Sequence, residues 1–267
     1  MKLGFLGGGN LAASIMRGLR AKNAPYDLIV YDIAAERAER LRADYSARTA
    51  PAAAALAAEA EVILLLVKPN QAAGLLTTLA DCDLSGKLLI TAVAGLPLRF
   101  YSRRLPGAAL VRAMPNTSSA ALRAVTGLTA APGATPAQRE TAGAIFSALG
   151  KIIWVEESDM NALTALSGSG PAYFYLLTEL MAEAGAALGL APDAALFLAR
   201  ETLIGAGRML ENGEESPAGL RERVTSPGGS TEAALRSFAA DGLSAAVGRA
   251  LAAAAERAAE MEREFGA

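Results

Sequence analysis

Leu3-Gly4-Phe5-Leu6-Gly7-Gly8-Gly9-Asn10-Leu11-Ala12 is the stretch that decides the fold of this chain. Its first four residues read as a short strand, and Leu11, Ile15 and Leu19 then recur on one face of a helix. Between them, Gly7, Gly9 and Ala12 fit the G-x-G-x-x-G/A fingerprint of a dinucleotide site. Gly7 permits the tight turn, Gly9 lets a diphosphate approach the backbone, and Ala12 allows close helix–strand packing. The helix N-terminus offers free N–H groups and a favourable dipole to an anion. A glycine turn without a ligand is the alternative. Against it stands Asp32, 20 residues after Ala12, at the end of a second strand over 28–31.

Working outward, residues 34–43 carry a helical pattern, and 62–67 form a continuous apolar run, as expected for a strand buried on both faces. Further strands are expected at 88–90, 109–111, 125–129 and 151–155. Alternation of this kind indicates a doubly wound α/β domain. The Ala-rich segment 50–60 reads as a short helix rather than a linker. Beyond residue 155 the strand signals stop. Glu157-Ser158-Asp159 can cap a helix over 160–166, and Gly168-Ser169-Gly170-Pro171 breaks it and starts a long helix to 188. Pro192 opens another helix toward 210, and 243–264 forms the last. The expected domains are therefore 1–156, α/β, and 157–267, all-helical. The second is so rich in apolar residues that several helix faces are expected to bury against another subunit.

The bulk properties narrow the function. Of 267 residues 52% are apolar, which suffices for a substantial core and argues against disorder. A net charge of −2, with acids and bases interspersed, gives no electrostatic case for nucleic acid or an anionic membrane. The single cysteine, Cys82, cannot form an internal disulfide and reads as a neutral or buried thiol; no His is present and no metal-ligand spacing occurs. The start runs into glycines too soon for a secretory leader, and the 62–67 run is far short of the ~20 residues that span a bilayer. The expectation is a soluble, cytoplasmic protein without a metal.

Ligands of an open α/β sheet bind outside the carboxyl ends of its strands. Lys68-Pro69-Asn70 follows the strongest strand, so Lys68 either meets a cofactor or merely marks the strand end in solvent. Thr91 to Gly95 and Met114 to Thr117 end strands on the same rim, where small residues let a nicotinamide and a substrate approach the backbone. A carboxylate at Asp32 accepts hydrogen bonds from the 2′-OH of NADH and repels the 2′-phosphate of NADPH. Arg37, one turn into the next helix, either compensates in part or is a solvated charge. The balance leans to NADH.

After Lys151 the chain has no Lys, His or Cys, so the helical half must work with backbone N–H groups, hydroxyls, Arg and carboxylates. Ser226-Pro227-Gly228-Gly229-Ser230-Thr231 stands out there. On its residues alone the plainer reading is a turn between helices, with Thr231 capping the next one. The other reading is a nest of converging N–H groups that holds an anion.

Together these pieces resemble pyrroline-5-carboxylate reductase over essentially the whole chain. The resemblance is carried by Gly7-Gly8-Gly9-Asn10, Val67-Lys68-Pro69, Ala94-Gly95 and Met114-Pro115-Asn116-Thr117, then by Leu166-Ser167-Gly168-Ser169-Gly170-Pro171-Ala172-Tyr173 and Val224-Thr225-Ser226-Pro227-Gly228-Gly229-Ser230-Thr231. It implies an N-terminal Rossmann domain and a C-terminal helical domain that interlocks into a homodimer, often assembling further into a decamer. It implies hydride transfer from NADPH or NADH to the C5 imine carbon of L-1-pyrroline-5-carboxylate, giving L-proline in the final step of proline biosynthesis. Leu6, Gly7, Gly8, Gly9, Asn10 and Leu11 would line the dinucleotide, with Leu66, Val67, Lys68, Pro69, Ala92, Val93 and Ala94. The substrate carboxylate would sit against donors of Ser226, Gly228, Gly229, Ser230 and Thr231, with Thr231 near the ring nitrogen as the catalytic residue.

An iminium carbon is already electrophilic, so its reduction needs positioning more than a strong acid. Thr231 is accordingly assigned orientation first and proton delivery second. Four positions depart from the family pattern: Asp32, where many relatives carry a residue suited to NADP; Ala53, at an asparagine position near the adenosine; Ser118, where proline is frequent; and Ser230, for a common threonine. A β-hydroxyacid dehydrogenase of similar layout would need a lysine in the helical half, which is absent. A reductase of another cyclic imine stays open. A non-catalytic dinucleotide sensor would have no use for the 226–231 loop.

Overall fold

β1 (Lys2–Leu6) occupies the middle of an eight-stranded sheet because nearly all of its side chains are apolar and it is covered on both faces. The computed structural model describes residues 1–211 and 213–266. To one side of β1 lie β2 (Asp27–Tyr31) and then β3 (Arg48–Thr49); to the other lie β4 (Val62–Leu65), β5 (Leu88–Thr91), β6 (Ala109–Pro115), β7 (Ala124–Ala130) and β8 (Gly150–Trp154). All neighbours are parallel except β6 and β7. Only residues 116–123 join those two, too few for a crossover, so the chain must turn back. The order reverses at β1, between β2 and β4, which is the switch point where doubly wound sheets bind ligands.

The helices cover both faces. One face packs Leu3, Phe5, Val30, Leu64 and Ile90 against α1 (Asn10–Ala21), α2 (Ala35–Tyr45) and α6 (Pro136–Ser147). The other packs Leu6, Ile29, Ile63, Leu65 and Leu89 against α3 (Ala53–Glu59), α4 (Pro69–Ala80) and α5 (Leu98–Ser102). β4 is buried throughout, as its unbroken apolar run requires. The expected short helix within 50–60 is α3. β3 was not legible: its two residues are exposed and polar, and only pairing with β2 makes them a strand.

After β8 the described residues form helices joined by turns, with no further strand. Glu157–Asp159 form a 3-10 turn without a side-chain cap, where the sequence suggested capping by these residues. α7 (Met160–Leu163) then widens into a π-turn over Thr164–Gly168 before the restart at α8 (Gly170–Ala187). α9 (Pro192–Glu211), α10 (Pro217–Arg223), α11 (Ser230–Ala240) and α12 (Leu243–Phe265) complete the chain. Two compact units result. The first holds residues 1–169 together with the described residues from Ala253 on; the second holds 170–252.

The second unit leaves long apolar side chains outside. Phe174, Leu177, Leu180 and Met181 on α8, and Phe197, Ile204 and Met209 on α9, are all exposed in the single chain. Patches of that kind mark association surfaces. Among the described residues no helix is long and apolar enough to cross a membrane, and no cluster of His, Cys, Asp or Glu could hold a metal ion.

Candidate active site

The carboxyl ends of β1, β2, β4 and β5 meet at the switch point. The N–H of Gly7 donates to the Tyr31 carbonyl at 2.9 Å, that of Leu66 to the Leu6 carbonyl at 2.8 Å, and that of Ala92 to the Leu65 carbonyl at 3.1 Å. These bonds tie Leu6, Gly7, Leu66 and Ala92 into one rim, and the Val67 side chain borders Gly7. Gly7 has φ +109°, and a Cβ there would lie 2.6 Å from the Leu66 carbonyl oxygen, so only glycine fits. Gly9 is the N-cap of α1 and has open space where a side chain would stand. The N–H groups of Asn10, Leu11 and Ala12 have no partner among the described residues, while Ala13 donates to the Gly9 carbonyl at 3.1 Å. Orphan donors at a helix N-terminus facing an open glycine are what an anionic diphosphate requires.

Asp32 follows β2 and closes the loop from the other side. Its Oδ2 accepts the Gly8 N–H at 2.7 Å and its Oδ1 accepts the Ala34 N–H at 2.8 Å. Each oxygen keeps a lone pair for a sugar hydroxyl. Arg37, in α2, is exposed, and its backbone and Cβ border Gly8. Ala53 is buried at the start of α3 and brings no polar side-chain atom to the position where the resemblance implies asparagine.

Lys68 is exposed at the N-cap of α4, with Pro69 in the first turn, and its N–H donates to Gln71 Oε1 at 3.3 Å. Ala92, Val93 and Ala94 leave β5; Val93 is buried, and its N–H donates to Thr91 Oγ1 at 3.3 Å. Asn116, after β6, has a buried Oδ1 without a partner.

A polar group that sequence reasoning missed lies beside this rim. Arg112, in the middle of β6, is 3% exposed and gives 2.8 Å bonds to Glu157 Oε1 and Glu262 Oε1. Glu157 Oε1 also accepts the Leu98 N–H at 2.9 Å, and Asn161 Nδ2 reaches Glu262 Oε2 at 3.4 Å. Nearby, Thr91 Oγ1 donates to the Tyr101 hydroxyl at 2.7 Å. Burial pushes the Tyr101 hydroxyl up to about 12, opposed in part by that bond. The partners of Arg112 lie 45 and 150 residues away, so no local pattern could reveal them.

Residues 226–231 belong to the second unit. Gly228 has φ +71°, and Gly229 is the N-cap of α11. The Gly229 N–H donates to the Ser226 carbonyl at 3.0 Å, and the Gly228 N–H donates to Glu232 Oε2 at 2.8 Å. Two donors expected for a substrate carboxylate are thus already engaged, one inside the loop and one by Glu232 of α11. The N–H groups of Ser230 and Thr231, in the first turn of α11, have no partner among the described residues. Those two groups and their hydroxyls form the donor set available to an anion.

Comparison with known proteins agrees with this anatomy. Residues 157–261 match the family model described as "Pyrroline-5-carboxylate reductase dimerisation". Residues 2–95 match one described as "NADP oxidoreductase coenzyme F420-dependent". A pyrroline-5-carboxylate reductase of Pseudomonas aeruginosa is 39% identical over 99% of this chain and 98% of its own length. A solved structure of such a reductase from Coxiella burnetii superposes with a TM-score of 0.92 at 35% identity, covering 97% of each chain. A pyrroline carboxylate reductase from Plasmodium falciparum, solved with NADP bound, gives a TM-score of 0.84 at 27% identity over 98% of each chain.

Proposed function

This chain belongs to the pyrroline-5-carboxylate reductase family, NAD(P)-dependent oxidoreductases of proline biosynthesis, and we propose how its own residues divide the work of that reaction. The bound dinucleotide supplies a hydride from its reduced nicotinamide to C5 of the protonated imine. The C=N electron pair settles on nitrogen, which already carries its proton, so L-proline forms without a protein acid of matched pKa.

Leu6, Gly7, Gly8, Gly9, Asn10 and Leu11 hold the diphosphate, and the single observation that carries this is the row of orphan N–H groups at the open Gly9 cap. Asp32 faces the adenosine ribose, which favours NADH over NADPH. Leu66, Val67, Lys68 and Pro69 border the dinucleotide from β4, and Ala92, Val93 and Ala94 from β5. Ser230 and Thr231 supply N–H and hydroxyl donors to the substrate carboxylate, assisted by Ser226, Gly228 and Gly229, which shape the turn. Thr231 orients the ring nitrogen and, secondarily, delivers a proton to substrate that arrives as the neutral imine.

The exposed apolar faces of α8 and α9 support pairing of two chains through the helical half, taken as 157–267, with 1–156 as the cofactor half and a decamer as the larger assembly. Cytoplasmic residence completes the reading. The test is direct. Purified protein with pyrroline-5-carboxylate should oxidise NADH faster than NADPH, followed by loss of the reduced nicotinamide absorbance. Failure to oxidise either would overturn the assignment.

A further inference from the structure

Loop 92–98 leaves the end of β5 and is held from behind by residues remote in sequence. Gly95, with φ +73°, packs so closely on α12 that a Cβ there would lie 2.9 Å from Met261 Cβ. Gly266 stands against Pro97: a Cβ on it would fall 2.9 Å from Pro97 Cδ. The Leu98 N–H ends on Glu157 Oε1 at 2.9 Å, and that oxygen shares Arg112 with Glu262 at 2.8 Å. Arg112 is nearly inaccessible, and the Glu262 side chain is 14% exposed.

A buried ion pair adds little net stability, because desolvation offsets the attraction. Apolar residues of equal volume would hold these elements together as well. What two carboxylates on one guanidinium add is a fixed place: both accept from Arg112 Nη1, whose two N–H bonds set Glu157 and Glu262 relative to β6, and each fixes one part of the loop's surroundings. Glu157 sets the loop's far end at Leu98. Glu262 sets the turn of α12 whose neighbour, Met261, fills the space behind Gly95.

The geometry points to the last turns of α12 as a clamp on loop 92–98, with Arg112 and Glu262 as positioning residues for hydride transfer. This rests on the reading that Ala92, Val93 and Ala94 line the dinucleotide. Loss of the clamp displaces the nicotinamide end of the cofactor and leaves the adenosine end, held by Gly7 to Asn10, untouched. Small misplacements of a hydride donor carry large rate effects.

Four variants test it: Glu262→Ala, Glu262→Gln, Met261→Gly and Ala94→Leu, measured for kcat, for affinity to NADH and for affinity to ADP-ribose, which lacks the nicotinamide. Glu262→Ala should lower kcat about tenfold and weaken NADH while ADP-ribose binds as before. Glu262→Gln, still an acceptor for Arg112, should recover most of kcat. Should Glu262→Ala fail to fold, Met261→Gly, which keeps the ion pairs and empties the space behind Gly95, should give the same split. Unchanged kcat, or equal loss of ADP-ribose affinity, overturns the clamp. If Ala94→Leu impairs NADH binding while the α12 variants are silent, the clamp alone is wrong. If Ala94→Leu is silent as well, the placement of 92–94 at the dinucleotide is wrong.

Discussion

Asp32 grips the glycine loop directly: its Oδ2 accepts the N–H of Gly8 at 2.7 Å. The same carboxylate holds Ala34 at 2.8 Å, so it braces the loop in the free protein and still has lone pairs for a ribose hydroxyl. A 2′-phosphate in that place would face a like charge. Asp32→Ser should therefore shift the ratio of kcat/KM from NADH toward NADPH by about tenfold, equivalent to about 1.4 kcal/mol. Steady-state kinetics with both cofactors checks it. An unchanged ratio would remove Asp32 from specificity and leave it the bracing role alone.

Gly7 is the position where the loop tolerates least. Its φ of +109° and the Leu66 carbonyl oxygen, 2.6 Å from where a Cβ would stand, oppose any side chain. Gly7→Ala should cost about 1–3 kcal/mol of stability. It should also weaken both cofactors equally, since the diphosphate contact is common to them. Thermal unfolding and dinucleotide titration would measure the two effects.

The glycine loop, Asp32 and the strong strands were legible because each rests on local chemistry: apolar runs, a fixed spacing, a helix start. β3 and the Arg112 group were not. Arg48 and Thr49 become a strand only by lying beside Ile29 and Val30. Arg112 reads as an interruption of an apolar strand, and the carboxylates that make it tolerable arrive from Glu157 and Glu262 only once the chain has folded. Loop 226–231 was intermediate. Its residue types alone read more plainly as a turn between helices, the family resemblance made them an anion site, and the commitment of the Gly228 N–H to Glu232 depends on α11 being in place.

Tyr101 gives the fold an alkaline limit. Its hydroxyl is buried against Thr91 and pushed up to about 12 from an ordinary 10. Below pH 10 the group is neutral in both states and its contribution is fully present. As pH rises from 10 through 12 the unfolded chain ionises first, and up to about 2–3 kcal/mol of stability is lost. Denaturant unfolding across that range should show the decline. Tyr101→Phe should abolish it, at a cost near neutrality of about 1 kcal/mol for the lost bond to Thr91.

The apolar surface of α8 makes a separate claim. Leu177 and Leu180 are exposed in the single chain although the helix has few charges with which to stay solvated. Burying a leucine stabilises by about 1.5–3 kcal/mol, so a pair of Leu→Asp changes removes several from an interface that contains them. Leu177→Asp with Leu180→Asp should convert the dimer to monomer by light scattering. Dinucleotide binding should persist, because the glycine loop belongs to the other unit.

Thr231 decides between holding and proton delivery. It lies in the first turn of α11, where among the described residues its N–H has no partner, and the adjacent carboxylate of Glu232 is turned to the Gly228 N–H. A hydroxyl that only orients a charged ring nitrogen contributes about 1.5–3 kcal/mol, so Thr231→Ala should lower kcat/KM for the imine about 10–100-fold and leave NADH affinity unchanged. Thr231→Ser should restore most of the rate. If the hydroxyl delivers the proton, the loss in the alanine variant should deepen as pH rises and the iminium becomes scarce; if it only orients, the loss should be the same at every pH. A fall in NADH affinity equal to the fall in turnover would instead assign Thr231 to the folding of α11.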